Sequence, residues 1–273
     1  MKRLLAWIGL LVLAACASDA PKTSGGKIEV LWLGQAAFRI TTVSGKVIVI
    51  DPWLTSNPKT PAQYKDLRNL GRVDVVLVTH AHFDHVADAP ALSKMHNVRV
   101  YGPAGLNSTL VKIGEVPANL APGMNKSGTV TPLGPDIKFT MVHAEHSSEY
   151  AWKDPSTGRE MMLPGGEPVG WIIELENGFK IYHMGDTGLF GDMKLIGELY
   201  KPNLVLIPIG GNFTINPELA ALALRDYIKP QFAIPMHYGT NPLLAGTPEQ
   251  LIKALGNAPV KVTVLNPGEK ANF

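Results

Sequence analysis

Runs of apolar and β-branched residues, separated by short polar turns, predict that the chain begins with consecutive strands. We expect strands at residues 28–33, 37–43, 46–50 and 73–79, with Ser44-Gly45 as the tight turn between the second and the third. Residues 73–78 are almost entirely apolar, which is typical of a strand buried on both faces. A buried central strand at this position means that the polar residues after it lie at the edge of a sheet.

Farther along the chain, predicted strands alternate with predicted helices. The expected helices are residues 84–94, 104–113, 217–227 and 248–255, and the expected strands are residues 98–101, 136–143, 204–208, 232–235 and 260–264, with a hairpin of residues 170–176 and 178–184. Strands in succession, followed by strands alternating with helices, favour a layered α/β fold with mixed sheets. Residues 147–166 have a weak pattern with much Gly, Pro and charge, and we expect a long loop that covers a site.

The N-terminus has the pattern of a targeting segment. Two basic residues precede the apolar residues 4–13, which are too few to span a bilayer as a helix of about 20 residues. The following Leu13-Ala14-Ala15-Cys16 resembles the bacterial lipobox, in which the cysteine is lipidated. We therefore expect a signal peptide at residues 1–15, a tether at 16–27 and one domain at 28–273, anchored through Cys16 on the periplasmic side of the bacterial cell envelope. Ordinary secretory cleavage after Ala17 is the alternative.

Composition and charge exclude some classes of function. The sequence has 25 basic and 23 acidic side chains and no basic run interleaved with aromatic residues. We therefore expect no nucleic-acid partner, because such proteins carry a concentrated positive charge. Cys16 is the single cysteine, so the domain has neither an internal disulfide nor a thiolate metal ligand.

The segment after the fourth predicted strand carries the most informative chemistry. It reads Thr79-His80-Ala81-His82-Phe83-Asp84-His85. Neutral imidazole nitrogen and carboxylate oxygen are ligands that zinc and similar divalent ions accept. His80 and His82 are two positions apart and point the same way in an extended segment, whereas Asp84 and His85 can face a second ion where the helix begins.

Three other predicted strands also end in residues that bind metals. The residues at or just after their ends are His143 and His146, His183 and Asp186, and His237. Each such residue alone is more often an ordinary core or surface residue. Together with the first segment they supply enough ligands for two ions.

With these motifs the chain resembles the metallo-β-lactamase superfamily. The HxHxDH motif stands at residues 80–85, and the segments at 32–38, 50–53, 144–148, 209–214 and 237–240 resemble the branch of ascorbate-6-phosphate lactonase-like proteins and UPF0173 metal-dependent hydrolases. The resemblance extends from residue 28 to the C-terminus. It implies a four-layer αββα sandwich of the α/β class, with metals at one edge between the two sheets.

The resemblance also implies a set of ligands. His80, His82 and His146 would hold one ion, Asp84, His85 and His237 would hold the second, and Asp186 would bridge them, with His143 as the rival of His146. The ions would be zinc, with manganese or iron as alternatives. Two supporting residues complete the expectation: Asp51 would orient a ligating imidazole or else cap a turn, and Gln35 stands where many relatives carry a histidine, which puts acid–base chemistry at that position in doubt.

The implied function is hydrolysis by a metal-activated hydroxide. The substrate would be a lactone, another ester or a phosphodiester. Asp84 would act as a catalytic proton shuttle as well as a ligand, with a role as ligand only as the alternative. Two alternatives stay open at this point: a phosphodiesterase that acts on phospholipids, and an envelope protein that binds a metal or ligand without catalysis. The expected partner is therefore a small molecule or a lipid.

Overall fold

Two seven-stranded sheets and a separate hairpin form the β-structure of the protein. The computed structural model describes residues 26–273, so the predicted signal peptide at residues 1–15 and residues 16–25 of the predicted tether, including Cys16, lie outside the described residues. The strands are β1 (Glu29–Gly34), β2 (Ala37–Thr41), β3 (Val47–Ile50), β4 (Val75–Leu77), β5 (Val100–Pro103), β6 (Gly123–Met124), β7 (Thr129–Val130), β8 (Lys138–His143), β9 (Glu149–Lys153), β10 (Glu160–Pro164), β11 (Val169–Glu174), β12 (Lys180–His183), β13 (Leu204–Pro208), β14 (Phe232–Met236), β15 (Lys261–Val262) and β16 (Lys270–Asn272).

Both sheets mix parallel and antiparallel pairs. The first has the order β16-β1-β2-β3-β4-β5-β6, and the second has the order β15-β14-β13-β12-β11-β8-β7. In the first sheet β3 to β6 are parallel neighbours, and in the second β12 to β15 are parallel neighbours. Strands β9 and β10 pair only with each other and form the hairpin.

Six α-helices complete the described part of the chain. They are α1 (Phe83–Val86), α2 (Ala89–His96), α3 (Ala104–Lys112), α4 (Met193–Tyr200), α5 (Pro217–Leu222), which continues as a π-helical segment (Ala223–Ile228), and α6 (Pro248–Leu255). Short 3-10 helices lie at Ala62–Lys65, Leu67–Leu70 and Ala118–Leu120. Within residues 26–273, no helix is both long and apolar enough to cross a bilayer.

One core fills the space between the sheets, and two outer cores lie under the helices. Successive residues of a strand point to opposite faces, so each central strand contributes to two cores. In β13, Leu204 and Leu206 belong to the central core, whereas Val205 and Ile207 pack under α4, α5 and α6. The outer face of the first sheet packs in the same way against α2 and α3. The predicted four-layer αββα sandwich is confirmed.

Most predicted elements are present with shifted ends, but the predicted loop at residues 147–166 is wrong. It contains the hairpin β9–β10, in which Trp152 pairs with Met161 and Tyr150 with Leu163. Each strand has only five residues, and in β10 the exposed Met162 stands between Met161 and Leu163, so the alternation of apolar and polar residues is short and interrupted. The predicted helix at 84–94 is also two helices, α1 and α2, with Pro90 in the first turn of the second.

Helix α4 was not predicted, and Gly197 in its middle explains why. Glycine weakens a helical pattern because it has a low helix propensity. A β-carbon at Gly197 would lie 2.7 Å from the Ile228 Cα of the π-helical segment. The glycine therefore allows two helical backbones to approach closely, which only the tertiary structure reveals.

Trp171 joins the two sheets beside the edge that carries the candidate ligands. It is fully buried on β11, and its Nε1–H donates to the carbonyl of Val78, which follows β4 in the other sheet, at 3.2 Å. We expect Trp171→Phe to lower the free energy of unfolding by about 1–3 kcal/mol, because the carbonyl loses its buried donor. Urea unfolding followed by circular dichroism measures this.

Trp152→Phe on the hairpin is the matched control, because Trp152 is only half-buried. We expect a change within about 0.5 kcal/mol for this substitution. If the two substitutions lowered the free energy of unfolding equally, the hydrogen bond from Trp171 to the Val78 carbonyl would not contribute as we expect.

Candidate metal centre

The candidate ligands lie in the loops, and in the short helix α1, that follow the strand ends at one edge of each sheet. Strand β8 runs in the same direction as β12, β13 and β14, because a single antiparallel strand separates β8 from β12. The carboxyl ends of these strands, and of β3 and β4 in the first sheet, lead to the candidate residues. These are Asp51 after β3, residues 79–85 after β4, His146 after β8, Asp186 after β12 and His237 after β14. Sites in α/β proteins commonly form at the carboxyl ends of parallel strands.

Three imidazoles form the first group, defined as His80, His82 and His146. Their ligand nitrogens all lie within 4.8 Å of one another. His80 Nε2 is 3.0 Å from His82 Nδ1, and the ring centroids of His80 and His146 are 5.0 Å apart. The structure thus brings together the three residues predicted for one ion.

His143, the rival of His146, lies outside this group and binds two charged neighbours. Its Nδ1 is 3.1 Å from Lys126 Nζ, and its Nε2 is 3.3 Å from Glu145 Oε2. An ammonium group can only donate, so Nδ1 accepts and Nε2 donates to the carboxylate. Because both nitrogens are engaged, the geometry favours His146 as the ligand.

The second group consists of Asp84, His85, Asp186 and His237, whose ligand atoms also lie within 4.8 Å of one another. Asp186 Oδ2 is 2.9 Å from His237 Nε2 and 3.3 Å from His85 Nε2. The same oxygen is 3.8 Å from His146 Nε2 of the first group. Asp186 therefore lies between the two groups, where the sequence predicts a bridging ligand.

Asp51, on the buried side of the centre, orients imidazoles of both groups. This buried carboxylate accepts from His85 Nδ1 at 2.8 Å and from the Thr79 amide and hydroxyl at 2.7 Å each. Since the Thr79 hydroxyl donates to Asp51, its oxygen can only accept from His80 Nδ1, 3.1 Å away. Both imidazoles therefore carry their proton on Nδ1 and turn Nε2 toward the groups, as expected of residues that support metal ligands.

Gln35 makes polar contacts inside the second group. Its Nε2 is 2.8 Å from Asp84 Oδ2 and 2.7 Å from His237 Nε2, and its Oε1 accepts from the Thr240 hydroxyl. His237 Nε2 thus faces an amide donor on one side and the Asp186 carboxylate on the other. One ring nitrogen cannot both accept from Gln35 and donate to Asp186, whereas the His237 nitrogen and the Asp186 carboxylate could both coordinate a shared cation.

Three residues of the centre have left-handed backbone conformations. The φ angles are +51° for Gln35, +46° for Asp51 and +56° for His237. A non-glycine residue in this region is strained, by an amount on the order of 1–3 kcal/mol, and persists only where its surroundings hold it. Such strain is concentrated at functional sites, which agrees with the placement of all three residues.

The second group concentrates negative charge. Burial opposes positive charge on His85, but the nearby carboxylates of Asp186, Asp84 and Asp51 outweigh burial and raise the pKa of His85 well above its usual range. In His237, burial again lowers the pKa, but Asp186 raises it to about 9. Burial would raise the pKa of Asp84, yet the charge on His85 and the bond to His237 lower it to about 2.

The first group has the opposite electrostatic character. Burial, with added repulsion from His85, lowers the pKa of His80 well below its usual range. Burial is also the main cause of the lowered pKa of His146. These imidazoles are neutral at physiological pH, which is the form that binds a metal.

The residues present fit divalent metal ions. Within residues 26–273, the buried atoms His85 Nε2 and Asp186 Oδ1 have no hydrogen-bond partner, although buried polar groups nearly always have one. The two carboxylates of the second group also raise the pKa of its imidazoles and so favour their positively charged form. A cation supplies that charge and coordinates the free atoms, so each group could hold a metal ion.

One further polar contact of the centre was not predicted from the sequence. Glu149, the first residue of β9, lies with its Oε2 3.2 Å from His82 Nε2. The two residues are 67 positions apart, and the segment of Glu149 was expected to be a loop. A strand prediction for residues 149–153 would have drawn attention to this carboxylate, but no local motif identifies its partner.

Comparisons with known proteins cover almost the whole chain. A family model described as "Beta-lactamase superfamily domain" matches residues 46–238, which include every member of both groups. The chain is 59% identical to a UPF0173 metal-dependent hydrolase of Cupriavidus necator, over 97% of this chain and 96% of that protein. It is 60% identical to a UPF0173 metal-dependent hydrolase of Polaromonas sp., over 94% of this chain and 93% of that protein.

A solved structure is similar in both sequence and fold. This is Igni18, described as a novel metallo hydrolase from the hyperthermophilic archaeon Ignicoccus hospitalis. The TM-score is 0.76 at 32% identity, over 90% of this chain and 98% of Igni18.

Binding of an ion to the second group should release protons. His237, with a pKa of about 9, and His85 are protonated at neutral pH, and an imidazole must lose its proton to coordinate a metal. We expect release of about one proton or more per ion, and an apparent affinity that rises with pH up to about 9. Calorimetric titration with zinc in two buffers of different ionisation enthalpy measures the number released. Identical heats in both buffers would contradict this assignment.

Proposed function

Because this chain belongs to the UPF0173 metal-dependent hydrolases of the β-lactamase superfamily, we propose that it uses two divalent ions to hydrolyse a lactone, another ester or a phosphodiester. The coarser prediction, a metal-dependent hydrolase with the metallo-β-lactamase fold, is confirmed by the relatives and by the similarity to Igni18. A purely non-catalytic binding role is not favoured by this family membership.

The observation that carries the proposal of two ions is the position of Asp186. One carboxylate oxygen lies within 3.8 Å of imidazole nitrogens from both groups. An ionised carboxylate can hold two cations about 3.5–4 Å apart, which is the spacing of two-metal hydrolases. A single-ion site would leave one of the two groups without a function.

We assign the ligands according to these groups. His80, His82 and His146 would hold one ion, Asp84, His85 and His237 would hold the second, and Asp186 would contact both. Zinc is the ion we propose, with manganese and iron as the alternatives that accept the same imidazole and carboxylate set. When bound, such ions supply a nucleophile by lowering the pKa of water, to about 7 in zinc enzymes, and stabilise charge on the scissile group.

Asp84 is the side chain that we assign to proton transfer. Its carboxyl is ionised at neutral pH, and its side chain is 15% exposed, whereas those of Asp186, His237 and His85 are 4%, 2% and 0% exposed. It can therefore accept a proton at the open side of the centre and return it to the leaving oxygen. Gln35 holds Asp84 by a 2.8 Å hydrogen bond but cannot become charged, so it positions the carboxylate without carrying the proton.

The cellular setting is proposed from the sequence alone. The lipobox-like residues 13–16 support a lipoprotein anchored at Cys16 on the periplasmic side of the cell envelope, with a small molecule or a lipid as substrate. An anchor of this kind would hold the centre near a membrane, which is the reason to test phospholipids beside soluble esters.

The two histidines after β8 provide a direct test of the ligand set. We expect His146→Ala to reduce bound metal and to lower kcat/KM by more than the roughly 10–100-fold that is typical of residues that only support a ligand. His143→Ala is the control, because His143 binds Lys126 and Glu145 instead. Metal analysis and kinetics of both variants, with far-UV circular dichroism as the folding check, decide between them. A greater loss in the His143 variant would reverse our assignment.

The substrate class is tested on protein whose metal content has been measured. We expect two zinc ions per chain and turnover of lactones, nitrophenyl esters or a nitrophenyl phosphodiester, because the same centre can polarise either a carbonyl or a phosphoryl oxygen. Phospholipid vesicles form a separate arm of the experiment, and cleavage there alone would favour the phospholipid phosphodiesterase. If protein with two bound zinc ions hydrolysed no substrate in any arm, these substrate classes would be excluded.

A further inference from the structure

We propose that Glu149, at the base of the hairpin β9–β10, is a positioning residue that orients His82 for metal binding. This inference rests on the metal centre proposed above. It concerns a carboxylate outside both ligand groups and assigns a function to the hairpin.

The contact is made by the ring nitrogen of His82 that faces away from the centre. His82 Nδ1 is 3.0 Å from His80 Nε2, inside the first group, whereas His82 Nε2 is 3.2 Å from Glu149 Oε2. A carboxylate only accepts, so Nε2 carries the proton and Nδ1 keeps its lone pair for an ion. The Ser147 hydroxyl, 3.4 Å from the same Nε2, is a second neighbour on that side.

His82 needs this support more than His80, the other imidazole that the HxHxDH motif gives to the first group. His80 is fully buried and is held by the Thr79 hydroxyl, which is itself bonded to Asp51, whereas the side chain of His82 is 26% exposed. His82 lies between β4 and α1, so no strand or helix fixes the position of its partly exposed ring. Without a partner at Nε2, both its tautomer and its rotation would be free to vary.

The base of the hairpin is bound directly to the metal-binding loop. Ser148 Oγ accepts from the amide of Ala81, the residue between His80 and His82, at 3.2 Å, and donates to the carbonyl of Gly165 at 3.1 Å. The Gly165 amide returns a bond to the Ser148 carbonyl at 3.0 Å. Gly165 has no β-carbon, and a β-carbon there would collide with Ser148 and Ala81. The backbone next to Glu149 is therefore held at a fixed place relative to His82.

Charge supports the same role. The first group consists of three imidazoles, and its negative charge comes from Asp186, which the second group shares. A carboxylate that accepts from the outer nitrogen of a ligating histidine increases the basicity of the ring and fixes its orientation. Glu149 would thus do for His82 what Asp51 does for His85.

The test measures zinc affinity rather than turnover. Glu149→Ala should weaken one of the two zinc sites by about tenfold, the low end of the range for such partners because the contact is partly exposed. Glu149→Gln keeps an accepting oxygen and should give a smaller loss. Glu160→Gln is the matched control, since Glu160 is an exposed residue of the same hairpin and pairs with Lys153. Competition with a chromogenic chelator measures the affinities, and circular dichroism verifies the fold.

Nitrogen-15 spectra of the metal-free protein provide a second readout. In the native chain the His82 ring should be a single tautomer with its proton on Nε2, and Glu149→Ala should give a mixture of both tautomers. Unchanged zinc affinity and an unchanged tautomer in Glu149→Ala would overturn the inference while leaving the proposed function intact. Failure of the native protein to bind zinc, manganese or iron would instead refute the metal centre itself.

Discussion

The buried negative charge of Asp186 is the constraint on which the rest of this centre depends. A carboxylate removed from water is stable only when positive charge or hydrogen-bond donors surround it. Imidazoles after β4, β8 and β14 supply these partners, at distances of 2.9–3.8 Å. Since the three strands belong to two different sheets, the charge is satisfied only after the sheets have packed together. Folding and assembly of the centre are therefore one event.

Two carboxylates hold the imidazoles from opposite sides of the centre. Asp51 binds His85 directly and His80 through Thr79, in a place with no access to solvent. Glu149, as we propose, holds His82 from the exposed side through the hairpin. The two supports differ in strength, because a hydrogen bond to charge gains energy as water is excluded. The support from the hairpin side is accordingly the weaker of the two.

The four-layer fold explains how residues at the edge of the sheets can keep strained backbone conformations. Central strands are buried on both faces, so their ends are fixed by two cores at once. Gln35, Asp51 and His237 can then persist in left-handed conformations, because the surrounding bonds compensate for the strain. The same tight packing explains Gly197, whose missing side chain lets α4 meet the π-helical segment.

The sequence by itself determined the chemistry and the architecture, because both are written in local patterns. The residues at 80–85 and at the strand ends, together with the family resemblance that they carry, indicated all seven members of the two groups, and the alternation of strands and helices indicated the layers. The tertiary structure added the physical basis for choosing His146, which the sequence favoured over His143 only by resemblance: His143 binds Lys126 and Glu145, whereas His146 lies beside His80 and His82. It alone revealed the contacts of Gln35 and Glu149, since those partners are distant in sequence and meet only after the sheets and the hairpin have packed.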